Sequence, residues 1–365
     1  MVIIEGATLV NGTQCNIVVK DGLIEEITID NVVGGDVISI PKGVYVSPGW
    51  IDLHSHAFPN FEPYCSHPDN IGYTSGVTTV VDAGSCGADD ITDFYELAKE
   101  CHTRVLAFLN VSSIGLRVRN ELTDLSNLSF EKIEHSFQRF PDFLVGLKAR
   151  MSASVIGEND IKPLKLTMDY ASKLKKPVMV HVGSAPPLLS EIAEQLRKGD
   201  IITHCFNGKE GNTIIDDDLS IKKAIRDATN RGVYLDVGHG TSSFSFEIAK
   251  QAMKGRLPLH SISTDIYEQN RLYGPVYSLA TTMTKFLALG YSLEDVVKSV
   301  TETPAKILKK PLLGVLKRGA VADLTFFTIE DKNVTLIDSL GNKLDSPIQI
   351  KPFAVILGGK YYECI

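Results

Sequence analysis

The sequence predicts an α/β protein: a (β/α)8 TIM barrel with a small β-sandwich domain formed from both chain ends. Three observations carry this expectation. Apolar, β-rich runs alternate with longer stretches of helical spacing through the middle of the chain. There are eight such runs, spread over roughly 260 residues, which is the size of one such barrel. Short alternating strands punctuated by Asn-Gly and Asp-Gly are confined to the two ends.

The eight runs are "GWIDLHSH", "GVTTVVDAG", "RVLAFLNV", "FLVGLKAR", "KPVMVHVG", "IITHCF", "GVYLDVGHG" and "HSISTD". Between them lie helical candidates such as "DITDFYELAKECH", "SFEKIEHSFQRF", "IKPLKLTMDYASKL", "PPLLSEIAEQLRKG" and "LSIKKAIRDATNRG". The last stops at Gly232, a residue that ends helices readily. An open doubly wound sheet would need a Gly-rich phosphate turn after its first strand, and "HSHAFPNFEP" supplies none. Residues 1–47 and 309–365 are each too small to bury a core alone. The economical arrangement is one β-sandwich domain made from both, interrupted by a barrel over 48–308.

Composition excludes several classes of function. The chain has 365 residues, 44% hydrophobic and 22% charged, with a net charge of −7. No basic face points to nucleic acid, and no apolar run reaches the length of a membrane span. The opening "MVIIEGATLV" lacks a basic leader and reads as a strand, so a cytoplasmic protein acting on a small molecule is expected, with a homo-oligomer possible. The six cysteines are scattered, without a Cys-x-x-Cys pair, which argues against a disulfide framework or a zinc knuckle. Cys205, beside His204, reads as a small buried hydrophobe.

In such a barrel the chemistry collects where strands end at their carboxyl side. Those ends carry His54 and His56 (strand 1), Lys148 (strand 4), His181 (strand 5), His204 (strand 6) and Asp265 (strand 8). In "GWIDLHSHAF", alternation along the strand puts Asp52, His54 and His56 on one face. A lone histidine at a strand end is ordinarily a hydrogen-bonded core residue, and a lone aspartate a helix cap. Six ligand-type residues gathered at such points call for another account.

Imidazoles and carboxylates are the usual ligands of Zn2+ and similar divalent ions. An ammonium cannot ligate, but burial beside a dication lowers a lysine pKa and exposes a free amine. That amine can take up CO2 as a carbamate, an anionic ligand able to bridge two metals. Two divalent ions, zinc by the donor types, sharing one hydroxide of lowered pKa make a strong nucleophile at neutral pH. Arg150 shares the face of Lys148 and can clamp a substrate carboxylate, or form a structural ion pair. His239, between glycines after strand 7, reads as a substrate contact from a mobile loop or as a loop hydrogen bond. Tyr267, Tyr273 and Pro275 follow strand 8 and can shape the pocket, while Asp82 reads as a support for the loop after strand 2.

At these residues the chain resembles the amidohydrolase superfamily of binuclear metal-dependent hydrolases, through "PGWIDLHSH", "GLKAR", "HVG", "THCFNG", "DVGHG" and "STD". More narrowly, "VDAGSCGADDI", "LKARMS" and "DVGHGTSSFSF" look like a dihydroorotase-like, deacetylase-like branch. The resemblance implies one more buried metal on His54, His56 and Asp265, a more exposed one on His181 and His204, and carboxylated Lys148 bridging them. It also implies Asp265 as the proton shuttle. The expected activity is cleavage of an amide or ester (acyl) bond in a small anionic metabolite. The alternatives are a cyclic amidase, an adenine-type deaminase, or a non-catalytic binding protein. Mononuclear deaminases of the superfamily carry His-x-x-Glu after strand 5, whereas this chain has His181-Val-Gly-Ser184.

Overall fold

The computed structural model describes all residues, 1–365. Its barrel is a parallel sheet in sequential order: Trp50–Ser55, Val77–Ala83, Arg104–Asn110, Leu144–Met151, Val178–Val182, Ile201–Thr203 and Tyr234–Asp236. Each predicted run from "GWIDLHSH" to "GVYLDVGHG" supplies one of these strands. The eighth, "HSISTD", closes the barrel by single bridges, Asp236 to Ser261 on one side and Ser55 to Ile266 on the other. Backbone bonds from Asp265 N–H to His54 O (2.6 Å) and from His239 N–H to Ser263 O (3.1 Å) complete the seam.

Two strands stop abruptly, and the reason is local. His204 and Asp265 both adopt positive φ, 64° and 52°, so the chain turns out of the extended conformation at a ligand-type residue. Side chains other than glycine hold such backbones only where surrounding contacts compensate.

The helices pack outside the barrel on their apolar faces. Phe130–Arg139 begins at Ser129, whose hydroxyl accepts from Lys132 N–H, and buries Ile133 and Phe137. Lys223–Arg231 ends at Gly232 with φ 93°, the left-handed stop expected from sequence. The stretch "PPLLSEIAEQLRKG" forms only Leu189–Gln195, because its two prolines precede the helix and the chain is extended again at Leu196. A buried cluster of 64 residues joins the barrel to this helical layer.

The chain ends build a second sheet of eight strands, pairing Val2–Leu9, Gln14–Lys20, Leu23–Thr28, Asp36–Ser39 and Tyr45–Pro48 with Leu324–Ile337, Lys343–Leu357 and Lys360–Glu363. The sheet curls on itself: Ile24 N–H donates to Ala320 O and Ala322 N–H to Gly22 O, so its far edge meets the segment leading into Leu324. The two faces enclose a separate core of 14 residues, among them Ile4, Val46, Leu324, Phe326 and Ile356. At the junction with the barrel, Trp50 packs on Phe327 at 5.4 Å and donates from Nε1 to Ser47 Oγ. No helix is long and apolar enough to cross a membrane.

Candidate active site

The carboxyl ends of the barrel strands bring the six expected groups into one cluster, with His54, His56, Lys148 and His204 buried and His181 and Asp265 half-buried. Asp265 Oδ1 lies 3.3 Å from His54 Nε2 and 3.1 Å from His56 Nε2. Lys148 Nζ is 3.3 Å from His54 Nε2. The His204 ring centroid is 4.9 Å from that of His54 and 4.3 Å from that of His181. One ligand atom each from His54, His204 and Asp265 lies within 4.8 Å of the other two.

Three of the imidazoles, those of His54, His56 and His204, are oriented from behind. Thr203 Oγ donates to Asp236 at 2.7 Å, so the same oxygen accepts the Nδ1 proton of His54, also at 2.7 Å. That assigns the tautomer and turns Nε2 towards Asp265 and Lys148. His204 donates from Nδ1 to Gly238 O at 2.6 Å. His56 Nδ1 meets Ser85 Oγ at 2.8 Å, and Asp82 in turn holds Ser85 N–H and Ala57 N–H. Asp52, expected on the same face, does not join the cluster. Its carboxylate accepts from Thr264 N–H and hydroxyl and ties the first strand to the eighth.

The electrostatics suit a cation. Burial pushes His181 and His204 well below the usual imidazole range, leaving them neutral as ligands must be. Burial opposes the charge of Asp265, but His54 and His56 outweigh it and hold the carboxyl well below its ordinary value. Burial lowers Lys148 to about 7, and its other close contact is the apolar sulfur of Met179 at 3.5 Å. One observation tests the fit directly. His204 Nε2 is buried with no hydrogen-bond partner, although its Nδ1 carries the proton. A buried lone pair left without a donor is costly, and a cation would satisfy it.

Beside the cluster lies a small cavity of about 90 Å3, lined by His56, His181, Arg150 and Asp265 together with Tyr64, Leu116, Tyr267 and residues 241–243. Arg150 faces this cavity while its Nη1 contacts both oxygens of the fully buried Glu121, at 3.2 and 3.1 Å. The two readings of Arg150 therefore coexist, an ion pair that aims a guanidinium at the cavity. A roomier cavity of about 510 Å3 sits around Arg104, Phe143 and Leu313 and contains no histidine.

His239 follows the second of its two readings, the loop hydrogen bond. It is fully buried, stacked on Phe244 at 4.5 Å, with Nδ1 on Gly240 O and Nε2 on Lys285 Nζ at 2.7 Å. Both ring nitrogens are engaged within the protein, so it is no substrate contact. The flanking glycines place it: Gly238 and Gly240 have φ 48° and 56°, which turn the intervening side chain inward. Tyr273 is 80% exposed and Pro275 belongs to another cavity, so of the residues after strand 8 Tyr267 lines the site. Sequence reasoning missed Thr203, Asp236, Ser85, Glu121, Tyr64 and residues 241–243. The only cue was position, since Thr203 and Asp236 stand at or beside strand ends already singled out. A second His67, Asp69 and Cys101 group has its polar atoms in structural use: Asp69 accepts from His102 and Thr103 N–H, and His67 caps the helix Pro68–Ile71.

Convergent histidines, a buried lysine and an aspartate at the carboxyl end of a barrel define a metal-dependent hydrolase. Residues 316–363 match a deacetylase-like composite domain. A deacetylase of Enterococcus faecalis is 43% identical over 364 residues, 99% of this chain and 98% of its own. A deacetylase of Brucella anthropi is 38% identical over 328 residues, 88% of this chain and 81% of its own. Among solved structures, an adenine deaminase superposes with a TM-score of 0.96 at 43% identity, covering 99% of each chain. A dihydroorotase gives 0.90 at 34% identity, covering 100% of this chain and 97% of its own. The chain belongs to the amidohydrolase superfamily, and it is a hydrolase of the class that acts on carbon–nitrogen bonds other than peptide bonds.

Proposed function

We propose that this protein removes a small acyl group from an anionic metabolite, using two divalent ions held by His54, His56, Lys148, His181, His204 and Asp265. The observation that carries the reading is the orphaned, buried Nε2 of His204 in a cluster where the imidazoles of His54 and His56 are turned inward by their own hydrogen bonds. His54, His56 and Asp265 would hold the deeper ion and His181 and His204 the outer one, and Lys148, once carbamylated, would supply an anionic oxygen ligand. When bound, the ions supply Lewis acidity and lower the pKa of water, and zinc suits a set of imidazole and carboxylate donors.

The chain's own groups then do the following. Asp265 takes a proton from the water that adds to the acyl carbon and passes it to the leaving amine or alkoxide as the acyl bond breaks. Arg150, braced by Glu121, binds the substrate's anionic group. Tyr64, Tyr267 and Leu116 wall the small cavity. The two named deacetylases support acyl removal over the other chemistries. A cyclic amidase is the second reading, favoured by the likeness to a dihydroorotase. Deamination is disfavoured because no glutamate follows His181 at the third position.

A screen of N-acyl amino acids, O-acyl hydroxy acids and cyclic ureides against the metal-loaded protein decides. Turnover of the acyl compounds alone is expected. Turnover confined to cyclic ureides, or activity that survives complete chelation, would sink this reading.

A further inference from the structure

The hairpin joining Leu324–Ile337 to Lys343–Leu357 is long, and its tip reaches the carboxyl end of the barrel. There it grips residues 238–246, the segment that carries one wall of the site. Ser339 Oγ donates to Gly240 O at 2.9 Å, with His239 O at 3.3 Å, and accepts from Phe244 N–H at 3.2 Å. Ser339 N–H donates to Phe244 O. Asp338, 1% exposed, accepts from Phe246 N–H at 3.0 Å. From below, the buried Lys285 spans the same segment and the hairpin. Its Nζ donates to His239 Nε2 (2.7 Å), Ile337 O (2.8 Å) and Pro275 O (2.8 Å). All three ammonium protons are placed, and two of them tie His239 to the hairpin.

What this grip holds lies at the chemistry. Gly238 O accepts the Nδ1 proton of His204 at 2.6 Å. Gly240 lies so close to Asp265 that a Cβ there would sit 2.4 Å from the carboxylate. Residues 241–243 line the cavity. A displacement of this segment therefore releases His204, moves Asp265 and reshapes the cavity together.

We propose that the hairpin tip of the terminal domain is a working part of the active site, with Ser339 and Lys285 as positioning residues acting through Gly238, His239 and Gly240 on His204 and Asp265. This rests on the metal-site reading above. It assigns the terminal domain a task at the site, because the barrel's own strands end before this segment begins.

The test compares Ser339→Ala with Ser339→Thr, which keeps the hydroxyl, in the full chain. Affinity for zinc is measured by competition with a chromophoric chelator, without substrate, and unfolding is followed on the metal-free proteins. Outer partners of ligating groups are typically worth ten- to hundredfold in metal affinity, so Ser339→Ala is expected to bind zinc about tenfold more weakly and Ser339→Thr within about threefold of the parent. The metal-free unfolding midpoints should coincide. Lys285→Met should weaken zinc binding in the same direction.

Parental zinc affinity in Ser339→Ala would overturn the proposal, as would equal losses in the Ala and Thr variants. A weakening matched by a lower metal-free midpoint would also overturn it, by showing general loosening. If the parent itself binds no zinc, the metal-site reading and this proposal fall together. Parental binding that is insensitive to Ser339 removes the proposal alone.

Discussion

Replacing Thr203 by valine separates the orientation of His54 from every other feature of the site. The two side chains have nearly the same shape, so no cavity opens. What disappears is one oxygen that donates to Asp236 and accepts from His54 Nδ1, each at 2.7 Å. Asp236 keeps Ser263 Oγ at 2.7 Å, but its other oxygen already lacks a partner. His54 cannot turn to Asp236 instead, because Nδ1 and Oδ2 are 3.7 Å apart, beyond a hydrogen bond. A hydrogen bond to a charged group contributes about 1.5–3 kcal/mol and a buried donor left unpaired costs about 1–3 kcal/mol, so Thr203→Val should destabilise the metal-free protein by about 3 kcal/mol. The metal-loaded protein should lose more, since Nε2 no longer has an enforced tautomer, and zinc affinity should fall by about ten- to hundredfold. Urea unfolding of chelated protein and chelator competition measure the two effects. A loss of stability below about 0.5 kcal/mol would refute the accounting of these bonds. An intact zinc affinity would refute the claim that Thr203 orients a ligand.

Further expectations concern the groups at the cluster itself. Asp265→Asn should fold normally and lower kcat by about 10²–10⁴, the range of a lost general acid–base; unchanged turnover takes the proton shuttle away from it. Lys148→Ala should lose activity and regain part of it with added small carboxylates, and unaffected kinetics would remove the lysine from the mechanism. Elemental analysis should find about two divalent ions per chain, with activity lost on chelation and regained on reloading. Arg150→Met should raise KM for an anionic substrate by about ten- to hundredfold with a smaller change in kcat. An equal KM for charged and neutral substrates in the parent would deny Arg150 that role.

The barrel was legible because each strand is an apolar run bounded by turn residues and each helix keeps its own spacing. The eighth run pairs only through isolated bridges, and the chain turns away at Asp265. The ligand-type residues were legible for a related reason. Strand ends in a barrel converge whatever the loops do, so a His, Lys or Asp at that position is brought inward by topology. His239 shows where this stops. It too follows a strand, yet two positive-φ glycines rotate it into the core, and glycine's freedom leaves that choice to tertiary contacts. Arg150 could be read two ways because its partner, Glu121, is 29 residues away along the chain.

Periodicity and residue type alone therefore determined the barrel, the sheet built from both ends and the set of six chemical groups. Which nitrogen His54, His56 and His204 present was decided only in three dimensions, by Thr203, Ser85 and Gly238 O. The same holds for the anchoring of Arg150, the burial of His239 and the reach of Ser339 across to Gly240. Local pattern reports which face of an element is apolar, whereas a hydrogen bond between distant segments depends on where the packed elements finally lie.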